Sequence, residues 1–198
     1  MLNKSSKTWL YLLILSAIVW LGAINVRVII GGELLNYDEF DFRTSIPPDE
    51  ENMIFKLISS ASIVIMIAYF FTFISAIFFM KTCKINLKQN AWLLMCAILF
   101  FVFSPVEFYT SYLDIKFTLL FESNPPNHDE LLRLFGERIG FLKGVPVIAV
   151  LSYYTIIGIA IFRPLKKTKK ELEEDKLKTD EHSYKYYLHE DDDIIVDK

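Results

Sequence analysis

Long uncharged runs of apolar residues alternate along this chain with short charged stretches. The runs cover residues 8–26, 57–80, 91–106 and 144–162. A helix needs about twenty apolar residues to cross the hydrocarbon of a bilayer, and continuous rather than alternating runs exclude barrel strands. The pattern therefore predicts an all-α integral membrane protein with four transmembrane helices. We place these spans at about 8–30, 54–80, 90–113 and 141–163.

The first run follows Lys4 and Lys7, a combination that also occurs in cleaved signal peptides. The run is longer than the apolar core of a typical signal peptide, and Asn25 and Arg27 interrupt the region where cleavage would occur. We therefore interpret the first run as an uncleaved membrane anchor.

Basic residues flank the four runs unevenly, which indicates the orientation of the chain. Lysines without acidic neighbours precede the first run and separate the second from the third, and a basic cluster follows the fourth. Residues 28–56, in contrast, contain seven acidic residues against Arg43 and Lys56. The distribution predicts a multi-pass protein of the inner (plasma) membrane with both termini in the cytoplasm.

The two longer connections, which this orientation places outside, carry structure of their own. Asn127 and Glu130 have the spacing of a helix-capping pair, and apolar residues then recur at helical spacing up to Leu142. We expect an amphipathic helix at the outer interface before the fourth span; the alternative is that this segment extends the fourth span. In the first connection, Leu35, Tyr37, Phe40 and Phe42 fit an extended segment or aromatic anchors.

The two halves of the chain resemble each other. Pro47-Pro48 and Pro125-Pro126 each follow an outer connection, and each pair is followed by acidic residues and an apolar run. On this match, Arg27 and Glu107 occupy comparable places near the outer ends of their spans. The pattern predicts two repeated helix-loop-helix units in the same orientation, although a proline pair before a helix is also a common device.

Arg27 and Glu107 are the charges that interrupt otherwise apolar spans. An ionisable group at membrane depth is costly and usually faces the interior of a bundle. We therefore expect a polar site around this pair, and its members are Arg27, Glu107, Asn25, Tyr109 and Lys143, with Arg138 approaching the same depth. Two other interpretations stay open: Arg27 snorkels to the headgroups while Glu107 marks a helix end, or the pair only fixes helix packing.

Candidates for catalysis, metal binding or cofactor binding are absent from the sequence pattern. The spans contain no histidine, and neither a glycine-rich phosphate loop nor a metal-binding Cys/His spacing occurs. Cys83 and Cys96 are expected to be free thiols, and the outer-loop cysteines typical of tetraspanins and claudins are missing. We expect no catalytic residues, no metal, no cofactor and no nucleic-acid partner.

The chain divides into a transmembrane domain, residues 1–165, and a charged cytoplasmic tail, residues 166–198. The tail is expected to begin as a helix and to continue as a disordered segment. Two interpretations of its end stay open: a solvated segment without a partner, or a contact for a membrane or cytoplasmic protein. The abundance of Phe, Ile, Lys and Tyr is typical of an AT-rich bacterial genome.

Three functions remain open. The first is an accessory or assembly subunit of a membrane complex, without enzymatic activity. The second is a solute- or ion-handling protein with its polar site near Arg27 and Glu107. The third is a membrane-perturbing effector or accessory that forms homo-oligomers.

Overall fold

The computed structural model describes residues 3–36, 41–43, 45–83, 87, 90–123, 127–141 and 144–165. The tail predicted at 166–198 lies outside these residues. The described elements are α1 (Lys4–Gly32), β1 (Leu35–Asn36), β2 (Asp41–Phe42), α2 (Pro48–Thr82), α3 (Ala91–Phe121), α4 (His128–Gly140) and α5 (Val145–Phe162). All the helices except α4 are long and apolar enough to cross a membrane. The predicted all-α architecture with four candidate spans is thus confirmed.

Helices α1 and α2 form an antiparallel pair. The side chain of Asn3 caps α1 by accepting a hydrogen bond from the Ser6 amide at 2.7 Å, and the Ser6 hydroxyl donates to the Thr82 carbonyl at 2.7 Å. The rings of Trp9 and Phe78 stack near the same end, with centroids 4.6 Å apart. The start of α1 is therefore fastened to the end of α2.

Helix α3 is longer than the sequence pattern suggested. It continues to Phe121, past the expected end at residue 113, and contains Pro105 without ending there. The extension is stable because Leu113 and Phe117 are buried against neighbouring elements rather than exposed. At 31 residues, α3 is about 46 Å long, which exceeds the hydrocarbon thickness of about 30 Å.

A hydrophobic cluster closes one end of the bundle, which we call the capped end. It joins the end of α1, the start of α2 and the end of α3 to α4, through Leu34, Ile54, Phe55, Ile58, Leu113, Phe117, Leu131, Leu134 and Phe135. Strands β1 and β2 form a two-stranded antiparallel sheet here, with Leu35 opposite Phe42. Leu35 and Phe42 of the predicted extended segment thus lie in strands, whereas Tyr37 and Phe40 lie outside the described residues.

Helix α4 is a separate element rather than an extension of α5. Asn127 caps it by accepting a hydrogen bond from the Glu130 amide at 3.2 Å, as the sequence pattern predicted. Gly144 has a φ of 94°, a left-handed conformation that glycine adopts without steric cost, and it precedes the first residue of α5. The chain therefore turns between the two helices.

A second hydrophobic cluster lies farther along the bundle, toward the end opposite the cap. It contains Trp20, Leu21, Ile24, Ile65, Ala68, Tyr69, Ala149 and Tyr153. The bundle exterior is also apolar: exposed side chains such as Ile29, Ile67, Val102 and Leu151 cover it. Both cysteines are free and Cys96 is buried, as expected.

Candidate functional site

Three charged side chains from three helices meet inside the bundle near the capped end. Nη1 of Arg27 on α1 lies 2.5 Å from Oδ1 of Asp114 on α3, and Nε of Arg138 on α4 donates a hydrogen bond to the same oxygen at 2.8 Å. Arg27 is 3% exposed and Asp114 is 1% exposed. We call these three residues the Asp114 network, since that carboxylate joins them.

Each helix brings its residue to the network on a buried face. On α3, the buried polar residues Ser104, Glu107, Thr110, Asp114 and Thr118 follow one another at intervals of three or four, so they form one stripe along the helix. On α4, Arg138 follows the buried residues Leu134 and Phe135 at the same intervals. Apolar packing of α4 onto the cap therefore also delivers its arginine to Asp114.

The network is not fully satisfied by hydrogen bonds. Among the described residues, Oδ2 of Asp114 and Nε of Arg27 have no hydrogen-bond partner, and neither does the hydroxyl of Thr118. Nη1 of Arg27 is within ion-pair distance of Asp114 but lacks the angles of a hydrogen bond. Two guanidinium groups share one carboxylate, which leaves one excess positive charge.

Glu107 supplies a balancing negative charge from deeper in the bundle. It is 4% exposed and lies on the same α3 stripe, two helical turns or about 10 Å from Asp114 along the axis. Within the described part of the chain its carboxylate forms no ion pair or hydrogen bond, although Arg138, Asp114 and Arg27 are near enough to interact with it electrostatically.

Two tyrosines approach Glu107 from the other helices. Tyr69 on α2 and Tyr153 on α5 are buried, and both interact electrostatically with Glu107. Their hydroxyls have no hydrogen-bond partner among the described residues. Polar hydroxyls thus accumulate around a carboxylate that lacks an ion partner.

The Asp114 network thus joins three helices by charge, and Glu107 is a buried carboxylate without an ion partner among the described residues. No protein-family model, curated protein or solved structure matches this chain. In the described ranges, His, Cys, Asp and Glu side chains do not form a group that could hold a metal ion.

The structure distributes the predicted site residues over several places. Arg27 and Glu107 both face the bundle interior, but the ion partner of Arg27 is Asp114 rather than Glu107. Asn25 points elsewhere and donates a hydrogen bond to the Tyr154 hydroxyl at 2.5 Å. Lys143 lies outside the described residues.

Tyr109 also turns away from the predicted site, toward α4. Its hydroxyl donates to Oε1 of Glu137 at 2.9 Å, and its ring stacks on Phe141 with centroids 4.0 Å apart. Tyr109 therefore contributes to the docking of α4 and not to the Asp114 network.

Asp114 is the functional residue that the sequence interpretation missed. The predicted third span ended at residue 113, so Asp114 was assigned to a connection. A signal was present, because Asp114 follows Glu107 by seven residues, with Thr110 between them and Thr118 beyond. That spacing places all four on one helical face.

The solvent-facing side of α4 carries its own ion pairs. Arg133 binds Glu130 through two hydrogen bonds, at 2.6 and 2.7 Å, and Glu137 at 3.2 Å. The hydrogen bond from Arg133 lowers the pKa of the Glu130 carboxyl below its ordinary value. These groups are exposed, so their effect on stability is small.

Proposed function

We propose that this chain is a small multi-pass membrane protein that acts as an accessory or assembly subunit of a membrane complex, without enzymatic activity. Four long apolar helices and an apolar exterior support insertion into a bilayer. Lys4, Lys7 and Lys81 lie near the end opposite the cap, whereas acidic residues begin both α2 and α4 at the capped end. This charge distribution supports an inner-membrane location with cytoplasmic termini.

The observation that carries the assembly role is an open seam between α1 and α5. The two helices contact each other through the rings of Trp20 and Tyr153, 4.7 Å apart, and through the Asn25–Tyr154 hydrogen bond. Asn25 and Tyr154 are both exposed on the bundle exterior. A polar pair on a surface that faces hydrocarbon is costly unless another helix covers it.

Two glycines lie beside this polar pair. Gly22 precedes Asn25 by three residues and Gly158 follows Tyr154 by four; because α1 and α5 run in opposite directions, both glycines lie one turn farther from the cap. A methyl group added at either position would meet no described atom within 4 Å. Small residues with open space above them allow a further helix to approach closely.

We assign this seam to a transmembrane helix of a partner protein. A photo-crosslinking residue placed at position 22 or 158 should capture the same partner in native membranes. The matched control is position 67 on α2, where Ile67 is 55% exposed. Replacing Asn25 with Leu should remove the crosslink at 158 without reducing the membrane level of the protein.

The outcomes separate the candidate functions. A single partner captured from positions 22 and 158, lost in N25L and absent from position 67, supports the assembly role. Lipid adducts alone would overturn it. A crosslink to a second copy of the chain would favour the oligomerising effector instead.

A second candidate, ion handling, is favoured by a different observation. Glu107 is buried and has no ion partner in the described part of the chain, while its neighbours carry unpartnered hydroxyls. Buried ionisable groups of this kind within a membrane mark ion or proton sites more often than they serve packing.

We also propose that the fold consists of two repeated units. Helix α2 has 35 residues, and the stretch from His128 to Phe162 has the same length, divided into α4 and α5. Arg27 and Asp114 each lie 23 residues after the first residue of their helix, Lys4 and Ala91. In this register the equivalent positions carry opposite charges that contact each other, in place of the Arg27–Glu107 match of the sequence.

A further inference from the structure

Glu107 is a buried ionisable group that does not belong to the Asp114 network. Lys116 is exposed on the exterior of α3, and an ammonium on the lipid side of a helix belongs at headgroup level. Glu107 lies nine residues from Lys116, or about 14 Å farther into the bundle. Its carboxylate is therefore within the hydrocarbon thickness when the chain is inserted.

We propose that Glu107 is a proton-binding site inside the membrane-spanning bundle. This inference rests on the ion-handling candidate and gives it a ligand; it is independent of the α1–α5 seam.

A proton is the ligand that this site fits, because it requires no cavity. Glu107 is 4% exposed, and in the described ranges His, Cys, Asp and Glu side chains do not form a group that could hold a metal ion. A carboxyl group accepts a proton within its own volume. Tyr69 and Tyr153 interact electrostatically with Glu107, and their hydroxyls have no hydrogen-bond partner among the described residues.

The charge balance of the bundle gives both protonation states of Glu107 a stabilising interaction. When Glu107 is ionised, it compensates the excess positive charge of the Asp114 network across about two helical turns. When it takes up a proton, the cost of burying an unpaired carboxylate disappears, and the network keeps one positive charge near the capped end. Because each protonation state of Glu107 is stabilised by a different effect, the carboxyl group can both bind and release a proton.

Titratable or charged groups on each of the five helices interact electrostatically with Glu107. They are Arg27 on α1, Tyr69 on α2, Asp114 on α3, Arg138 on α4 and Tyr153 on α5.

The α3 stripe supplies a polar connection between Glu107 and the capped end. Thr110 lies one turn from Glu107 and donates its hydroxyl to the Glu107 carbonyl at 3.1 Å, and Asp114 follows one turn later. In the opposite direction the same face continues beyond Ser104 with Phe100, Cys96 and Leu93, which are apolar or weakly polar. The connection therefore leads to the cap.

Infrared difference spectroscopy of the full chain in lipid nanodiscs tests the proposal. Spectra recorded between about pH 5 and pH 9 should contain a titrating band of a protonated carboxyl group in a dry environment. The band should be absent from E107Q and present in E130Q, which removes an exposed carboxyl on α4 instead. E107D should keep a band at a shifted position, which guards against loss of the band through misfolding.

A band that persists in E107Q, or a wild-type protein without such a band, would overturn the proton site. Proton flux into proteoliposomes containing a pH-sensitive dye tests the ion-handling candidate separately. Proton flux that occurs in the wild type and is abolished in E107Q supports both the proton site and the ion-handling function. A titrating Glu107 band without flux would overturn ion handling and leave the proton site standing.

Discussion

Asp114 connects α1, α3 and α4 through one carboxylate oxygen, which contacts both Arg27 and Arg138. The stability of the bundle should therefore depend on Asp114 more than on either arginine. Removing one member of a buried ion pair leaves the other charge without compensation, at a cost of about 3–5 kcal/mol. We expect D114N, which leaves Arg27 and Arg138 without a counter-charge, to reduce the free energy of unfolding by an amount in this range, measured by denaturation in detergent. R27A should cost less, because Arg138 still pairs with Asp114. The double variant should lose much less than both losses added together, because the interaction is then removed only once.

A second double-mutant cycle, with R27A and E107Q, compares the observed Arg27–Asp114 pair with the Arg27–Glu107 pair that the sequence suggested. Arg27 forms an ion pair with Asp114 and interacts with Glu107 only at longer range. The Arg27–Glu107 coupling should therefore be the smaller of the two. Equal couplings, or a larger one for Glu107, would contradict the network described here.

The sequence identifies individual site residues only where a charge interrupts an apolar run. Arg27 and Glu107 could be found because each lies in a segment that is otherwise uncharged. Asp114 and Arg138 lie among polar residues where a charge is ordinary, so their burial depends on a helix extension and on the docking of α4. Tyr69 and Tyr153 are indistinguishable in sequence from other aromatic residues of a span, since only the packing of three helices buries them within electrostatic range of Glu107.

Helix α4 is held to the bundle by close packing against α1 as well as by charge. A methyl group added at Gly31 would overlap the ring tip of Phe135, which is itself buried in the capped-end cluster. We expect G31A to displace α4 and to cost about 1–3 kcal/mol, the usual range for overpacking a core. Thermal unfolding in detergent measures the loss, and proteolysis near α4 reports the displacement.

Gly22 provides the control on the same helix. A methyl group there would meet no described atom, so G22A should leave stability unchanged or slightly higher in the isolated protein. Similar losses in G22A and G31A would show that helix flexibility, and not the contact with Phe135, sets the cost.

Element by element, the sequence predicted more than it did for individual residues. The cap of α4 followed from Asn127, and its buried face followed from the helical spacing of Leu131, Leu134 and Phe135. The predicted third span ends at residue 113 because Asp114 and Lys116 resemble the charged residues that end a span, whereas helix α3 itself continues to Phe121. Only the folded bundle shows that one of them is buried and the other exposed.

For the molecule as a whole, the remaining question is which end faces the cytoplasm. Ser123 is exposed at the capped end, two residues after α3, while Cys83 directly follows α2 at the opposite end. The basic residues near Cys83 and the acidic helix starts at the cap predict that the cap is outside.

An impermeant thiol reagent applied to sealed cells should therefore label S123C, introduced into a chain in which Cys83 is replaced by Ser, and should leave Cys83 of the unmodified chain unlabelled. After the membrane is opened, Cys83 should react, since it is only partly buried, whereas Cys96 should stay protected inside the bundle. Labelling of Cys83 from outside would reverse the orientation; it would also place the Asp114 network, and the polar connection to Glu107, on the cytoplasmic side.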